Sequence, residues 1–204
     1  MGMPTLVINF DKSTPGVTPP GWSFGTERGV SPKWEVIKDS TAPTPPYVFA
    51  QISNDSSHTR FPLAILDKPV FQNGEISVRM KPVAGKEDRA GGLVWRFRDP
   101  NDYYVVRANA LENNVALYRV ENGQWKALRP KGAFSNGWSV RHQVPANTWS
   151  ILKVTFKGPL FSVYFNHRRI FQVEDKSFQG PGKVGLWTKA DSVTYFDDFR
   201  VAQK

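Results

Sequence analysis

Arg96, Arg107 and Asn109 are the residues of this chain best suited to recognition chemistry. If their two strands run antiparallel, all three fall on one face. Guanidinium forks present planar sets of donors, and an amide adds both donor and acceptor. Together they suit a sugar hydroxyl, a keto oxygen or a uronate carboxylate. Glu112 follows in a predicted turn and is the candidate carboxylate for moving a proton beside this face. Tyr103 and Tyr118 fall on the same face. Trp187 and Lys189, within GLWTKADS, point outward if Val184, Leu186 and Thr188 point inward. Trp187 is then a ring for sugar stacking or, equally, a core residue. His58, in the polar loop SNDSSHTR, is a candidate for the rim of the site; His142 and His167 read as surface residues.

Ordinary glycoside hydrolysis needs two carboxylates at a set separation. On one strand that requires acidic residues at alternate positions, and no such pattern exists. Glu87-Asp88, Glu174-Asp175 and Asp197-Asp198 are adjacent pairs, whose members point to opposite faces of a strand. A classical retaining glucanase is therefore disfavoured. No HxH or HExxH spacing is present either.

The residues named first must be positioned by Ala90 to Glu121, which reads as three antiparallel strands. Asp99-Pro100-Asn101-Asp102 forms the first turn and residues 110–113 the second. With Arg98 opposite Tyr103, one face collects Leu93, Trp95, Phe97, Tyr104, Val106, Ala108, Val115 and Leu117, an apolar core wall. The other collects Val94, Arg96, Arg98, Tyr103, Val105, Arg107, Asn109, Asn114 and Tyr118. Elsewhere apolar residues also recur at period two. Turn signals separate about a dozen short strands, Asn122-Gly123 being the strongest. Residues 11–32 read as a loop, and a short helical turn is expected near residues 175–178. The pattern predicts an all-β sandwich without helical crossovers.

Two stretches, GGLVWRFRDPNDYYVVRANALENNVALYRVENG and KVGLWTKADSVTYFDDFRV, resemble the 3-keto-disaccharide hydrolase domain family. The similarity spans roughly residues 70–202. It implies a concanavalin A-like jelly-roll sandwich of two curved antiparallel sheets, with residues 90–121 in the concave sheet and their polar face lining a groove. It also implies a carbohydrate ligand, with hydrolysis or elimination of 3-keto-glycosides as the activity and a lectin-like module without chemistry as the alternative. A C3 ketone acidifies the neighbouring C–H, so such a route needs a base and an oxyanion stabiliser rather than two carboxylates.

At 204 residues the chain is expected to be one domain, residues 1–204. Its 27 basic and 18 acidic residues give a net charge of +9, but no long Lys/Arg run exists, so nucleic acid is not an expected partner. The absence of cysteine excludes disulfides, thiolate catalysis and zinc–thiolate sites. No stretch is long and apolar enough to span a membrane, and no signal peptide is visible. The resemblance implies a periplasmic or extracellular protein, with the cytoplasm as the alternative, and a monomer is expected. No cofactor is required by the sequence; Asp197 and Asp198 are candidates for a structural Ca²⁺ site.

Overall fold

The structure, a computed structural model, describes residues 5–26, 29–131 and 137–204. Its strands are β1 (Leu6–Ile8), β2 (Trp22–Gly25), β3 (Trp34–Lys38), β4 (Tyr47–Gln51), β5 (Leu63–Phe71), β6 (Gly74–Ala84), β7 (Ala90–Asp99) and β8 (Asp102–Asn109). They continue with β9 (Asn114–Glu121), β10 (Gln124–Ala127), β11 (Ser139–Arg141), β12 (Ser150–Lys157), β13 (Leu160–Phe165), β14 (Arg168–Glu174), β15 (Gly182–Trp187) and β16 (Val193–Gln203). There is no helix among the described residues. The expected helical turn at 175–178 is irregular chain, and the expected loop at 11–32 contains β2, whose Trp22 enters the core.

The strands form two antiparallel sheets. One, the meander sheet, runs β10-β9-β8-β7-β15-β5-β2, with β11 also on β9. The back sheet runs β14-β13-β12-β6-β16-β4-β3, with β1 on β16. β7, β8, β9 and β10 pair in sequence order through tight turns, as do β12, β13 and β14, whereas β15 and β16 each insert between strands distant in sequence. Alternation dictates what lies between the sheets: Leu93, Trp95, Tyr104, Val106 and Leu117 meet Val78, Val154, Phe156, Phe161 and Phe196 in one cluster. Trp95 stacks within 6.1 Å of Phe156 and lies edge-on to Phe161 at 5.2 Å. At roughly 1.5–3 kcal/mol for each large apolar side chain buried, this layer is the main source of stability.

The predicted turns form as read. Asp99 pairs with Asp102 and Asn109 with Asn114. Asn122 and Gly123 both take positive φ between β9 and β10, the conformation that a two-residue hairpin with the right twist demands.

The register between β7 and β8 departs from the expectation. Trp95, not Phe97, sits opposite Tyr104, and regular pairing then breaks until Asp99. A two-residue slip preserves the faces as far as Trp95. Beyond it Arg96 adopts φ +48°, a left-handed conformation that costs a non-glycine residue about 1 kcal/mol. This irregularity turns Arg96 toward the core, where it is 1% exposed, and turns Phe97 out against the opposite face. β15 crosses the distortion at Gly182, where a Cβ would come within 2.4 Å of the Arg96 backbone. Only glycine permits that approach.

Candidate functional site

The outer face of the meander sheet carries a second apolar cluster. Leu63, Ile65, Ala90, Val94, Tyr103, Val105, Val120 and Trp187 are buried there, under the partly exposed rings of Phe61, Phe97, Tyr118 and Trp125. Trp125 is central. It lies 4.3 Å from Phe61 and 5.5 Å from Tyr118 and meets Tyr103 edge-on at 6.1 Å. The hairpin turn at 122–123 places it there, because Trp125 pairs with Val120 and so shares the face of Tyr118. This residue was missed as a site residue by sequence reasoning, although that hairpin signal was sufficient to find it. Trp187 does point to this face, yet it is 1% exposed. It supports the surface rings rather than offering a platform.

Beside these rings lies a charged network. Arg107 donates from Nη1 to Asn114 Oδ1 at 2.8 Å and from Nη2 to Glu112 Oε2 at 2.8 Å. Asn114 Nδ2 donates to the same Glu112 oxygen at 2.9 Å. The Arg107 guanidinium lies 5.9 Å from the Tyr118 ring centroid and 5.7 Å from that of Trp138. It is buried, so its part is to hold Glu112, whose side chain remains 39% exposed. Asn109 accepts the backbone N–H of Leu111 on Oδ1 and donates from Nδ2 to Asp88 Oδ1 at 2.8 Å. Lys189 Nζ lies 2.8 Å from the other Asp88 oxygen. Asp88 is itself 2% exposed, and in the sequence it shows only as half of an adjacent acidic pair. Its turn is fixed by Asp191, whose carboxylate accepts the backbone N–H groups of Lys86, Glu87 and Asp88.

Burial pushes the Glu112 carboxyl up, but Arg107, Asn114 and Lys189 together pull it below the usual range. Glu112 is therefore a carboxylate at neutral pH and a weak base. His58 Nε2 lies 3.3 Å from Glu87 Oε2, in the loop beside Asp88, at the edge of this network. The structure thus gathers Arg107, Asn109, Glu112, Tyr103, Tyr118, Trp187 and Lys189 on one face, with His58 at the margin. It removes Arg96, whose guanidinium lies on the core side bonded to three backbone carbonyls.

No protein-family model matches the chain, and no curated protein matches it. Solved structures do. The carbohydrate-binding module CBM66 from Bacillus subtilis superposes with a TM-score of 0.63 at 19% identity, covering 88% of this chain and 93% of that one. Domain 4 of AbnA, a GH43 extracellular arabinanase from Geobacillus stearothermophilus solved in complex with arabinotriose, gives 0.58 at 15% identity over 96% and 89%. The Bacillus licheniformis β-glucanase gives 0.57 at 11% over 98% of each chain. The fold is a concanavalin A-like jelly roll. No helix among the described residues is long and apolar enough to cross a membrane.

Asp197 and Asp198, the calcium candidates, are placed on β16 beside the 39–46 loop. Asp197 accepts the backbone N–H of Thr44 at 2.9 Å and that of Asp198 at 2.8 Å. Asp198 accepts from Thr44 Oγ1 and from Arg79 Nε. Calcium takes about 6–8 oxygen ligands, and no group of three or more His, Cys, Asp or Glu among the described residues is placed to hold a metal. The pair clasps the loop to the sheet.

Burial, with Asp198 and Asp11 nearby, pushes the Asp197 carboxyl up to about 6. A carboxyl raised in the fold contributes stability that is fully present below its unfolded value near 4 and is lost as pH rises through about 6. Asp39, Asp175 and Asp191 are shifted the opposite way and lose stability on acidification. In urea titrations from pH 7 to pH 4, wild type is expected to gain about 2–3 kcal/mol relative to Asp197→Asn. A difference independent of pH would mean that Asp197 titrates as a solvated carboxyl.

Proposed function

We propose that this chain binds a carbohydrate on the outer face of the meander sheet. A sugar ring rests on Trp125, Phe61 and Tyr118, and its oxygens meet Glu112 and Lys189, with Arg107 fixing Glu112 in place. The observation that carries the reading is the adjacency of an aromatic floor and a fixed charged network on one sheet face. Sugars need both, because their C–H faces stack on rings and their hydroxyls pair with charged groups. The fold is consistent with this, since proteins described as a carbohydrate-binding module and as an arabinanase domain holding arabinotriose share it. A protein that meets such glycans acts outside the cytoplasm, the compartment we infer for this one.

The sequence resemblance makes 3-keto-glycosides the first ligands to test. Glu112 beside Arg107 and Lys189 pairs a proton acceptor with cations able to stabilise an enolate, the two parts that elimination requires. Those same cations weaken Glu112 as a base, so binding ranks above turnover.

Glu112→Ala is expected to weaken binding of a 3-keto-disaccharide or its parent disaccharide by about 1.5–3 kcal/mol, the worth of a charge-assisted hydrogen bond. Calorimetry reads the affinity, and product analysis of the same mixtures reads turnover. If the site is catalytic, Glu112→Gln abolishes product release while binding survives. Failure of wild type to bind any sugar of a broad panel would remove both readings.

A further inference from the structure

The back sheet has an outer face of its own, turned away from the proposed sugar site, and the net charge of +9 finds an outlet there. Pairing across five strands aligns Arg169 on β14 with Tyr164, Tyr164 with Lys153, Lys153 with Ser77 and Ser77 with Arg200 on β16. These five form a single cross-strand row. Strands lie about 4.8 Å apart, so the cations of this row recur at roughly 10 Å intervals. Lys153 Nζ is steadied 4.5 Å from the Tyr164 ring centroid.

A cleft of about 350 Å³ opens on this face, lined by Lys153 and Arg200 of the row together with Arg79, His167, Glu75 and Asp198. The acidic groups already have partners: Asp198 holds Arg79 at 3.1 Å and Glu75 holds Lys204. Among the described residues Lys153, Arg169 and Arg200 form no ion pair. Cations about 10 Å apart repel one another appreciably only at low salt, but their summed field attracts a ligand that carries repeated negative charge.

We propose that this cleft and row are a second binding site, for the carboxylates of an acidic glycan of the polyuronate class. Repeated cations in line suit a polymer with repeated carboxylates. Glu75, Asp198 and Ser77 in the lining accept hydrogen bonds from hydroxyls, which a uronate chain carries beside its charges. A DNA phosphodiester backbone has no hydroxyl donors to offer these acceptors.

The test is calorimetry with hexagalacturonate, beside uncharged maltohexaose and an oligodeoxythymidylate of equal charge. Wild type is expected to bind hexagalacturonate, and raising NaCl from about 50 to about 500 mM is expected to weaken that binding about tenfold or more. Lys153→Ala/Arg200→Ala, or Lys153→Gln/Arg200→Gln if the first variant folds poorly, is expected to weaken it by about tenfold as well, the loss of two solvent-screened ion pairs. Glu112→Ala is expected to leave it unchanged, which separates this site from the one on the meander sheet. No binding of hexagalacturonate, equal binding by the doubly substituted protein, or tighter binding of the oligodeoxythymidylate would each overturn the proposal.

Discussion

Arg96→Ala is expected to destabilise the fold by about 3–5 kcal/mol, as much as emptying a large aromatic core site such as Trp95. The Arg96 guanidinium donates to three backbone carbonyls, those of Gln72 at 3.2 Å, Phe178 at 2.5 Å and Gly158 at 2.6 Å. It also sits 5.4 Å from the centroid of the core ring Phe161. Removing it leaves three carbonyls from separate loops without a donor inside the protein, each a loss of about 1–3 kcal/mol where water cannot enter. Burial pulls the Arg96 pKa down, yet the group stays charged because no arginine deprotonates at working pH. Arg96→Lys should recover only part of the loss, since one ammonium cannot span the three carbonyls as a planar fork does. Urea denaturation measures both, with the exposed Arg98→Ala as the reference expected to lose under about 1 kcal/mol. A loss that small for Arg96→Ala would return its side chain to solvent.

Asp191→Ala is expected to cost about 3–5 kcal/mol and, in the same variant, to weaken sugar binding on the meander sheet. One buried carboxylate accepts three consecutive backbone N–H groups, with Lys86 at 2.6 Å, Glu87 at 3.1 Å and Asp88 at 3.0 Å. Hydrogen bonds to a charged acceptor contribute about 1.5–3 kcal/mol each, and their sum is not fully additive. Burial raises the Asp191 carboxyl, but those donors carry it below the ordinary range. Its contribution is therefore present at neutral pH and lost as pH falls through the carboxylate range. The 86–88 turn also sets Asp88 against Asn109 and Lys189, so loosening it disperses the charged network. Denaturant midpoints and sugar affinity measured together check both effects. A stable variant with unchanged affinity would show that the turn holds its shape without Asp191.

The sequence determined a good deal about this protein by itself. Period-two alternation from Leu93 to Leu117 placed Trp95, Tyr104, Val106 and Leu117 in the core, and Arg107, Asn109, Asn114 and Tyr118 on the other face. The turns at 99–102 and 122–123 were written in their Asn, Asp, Gly and Pro residues. These features were legible because strand parity and turn chemistry depend on neighbours one to four residues away. The back sheet's outer row, by contrast, joins residues 77, 153, 164, 169 and 200, and only the pairing of five strands sets them side by side.

The tertiary structure alone decided the rest. Strand parity alone puts Arg96 on the recognition face, but the break in pairing after Trp95 sends it to the core. What stabilises that break is the presence of carbonyls from residues 72, 158 and 178 and the close passage of Gly182, none of them near Arg96 in sequence. Trp187 had the expected direction, yet its burial depends on Phe61 and Trp125 lying over it. Asp88 joined the site only because Asn109 and Lys189 converge on it. In each case a side chain's role is set by what packs against it across the sheet. Local alternation fixes which way a residue points from its strand, but only the assembled sheets fix whether water, a ring or a backbone carbonyl is waiting there.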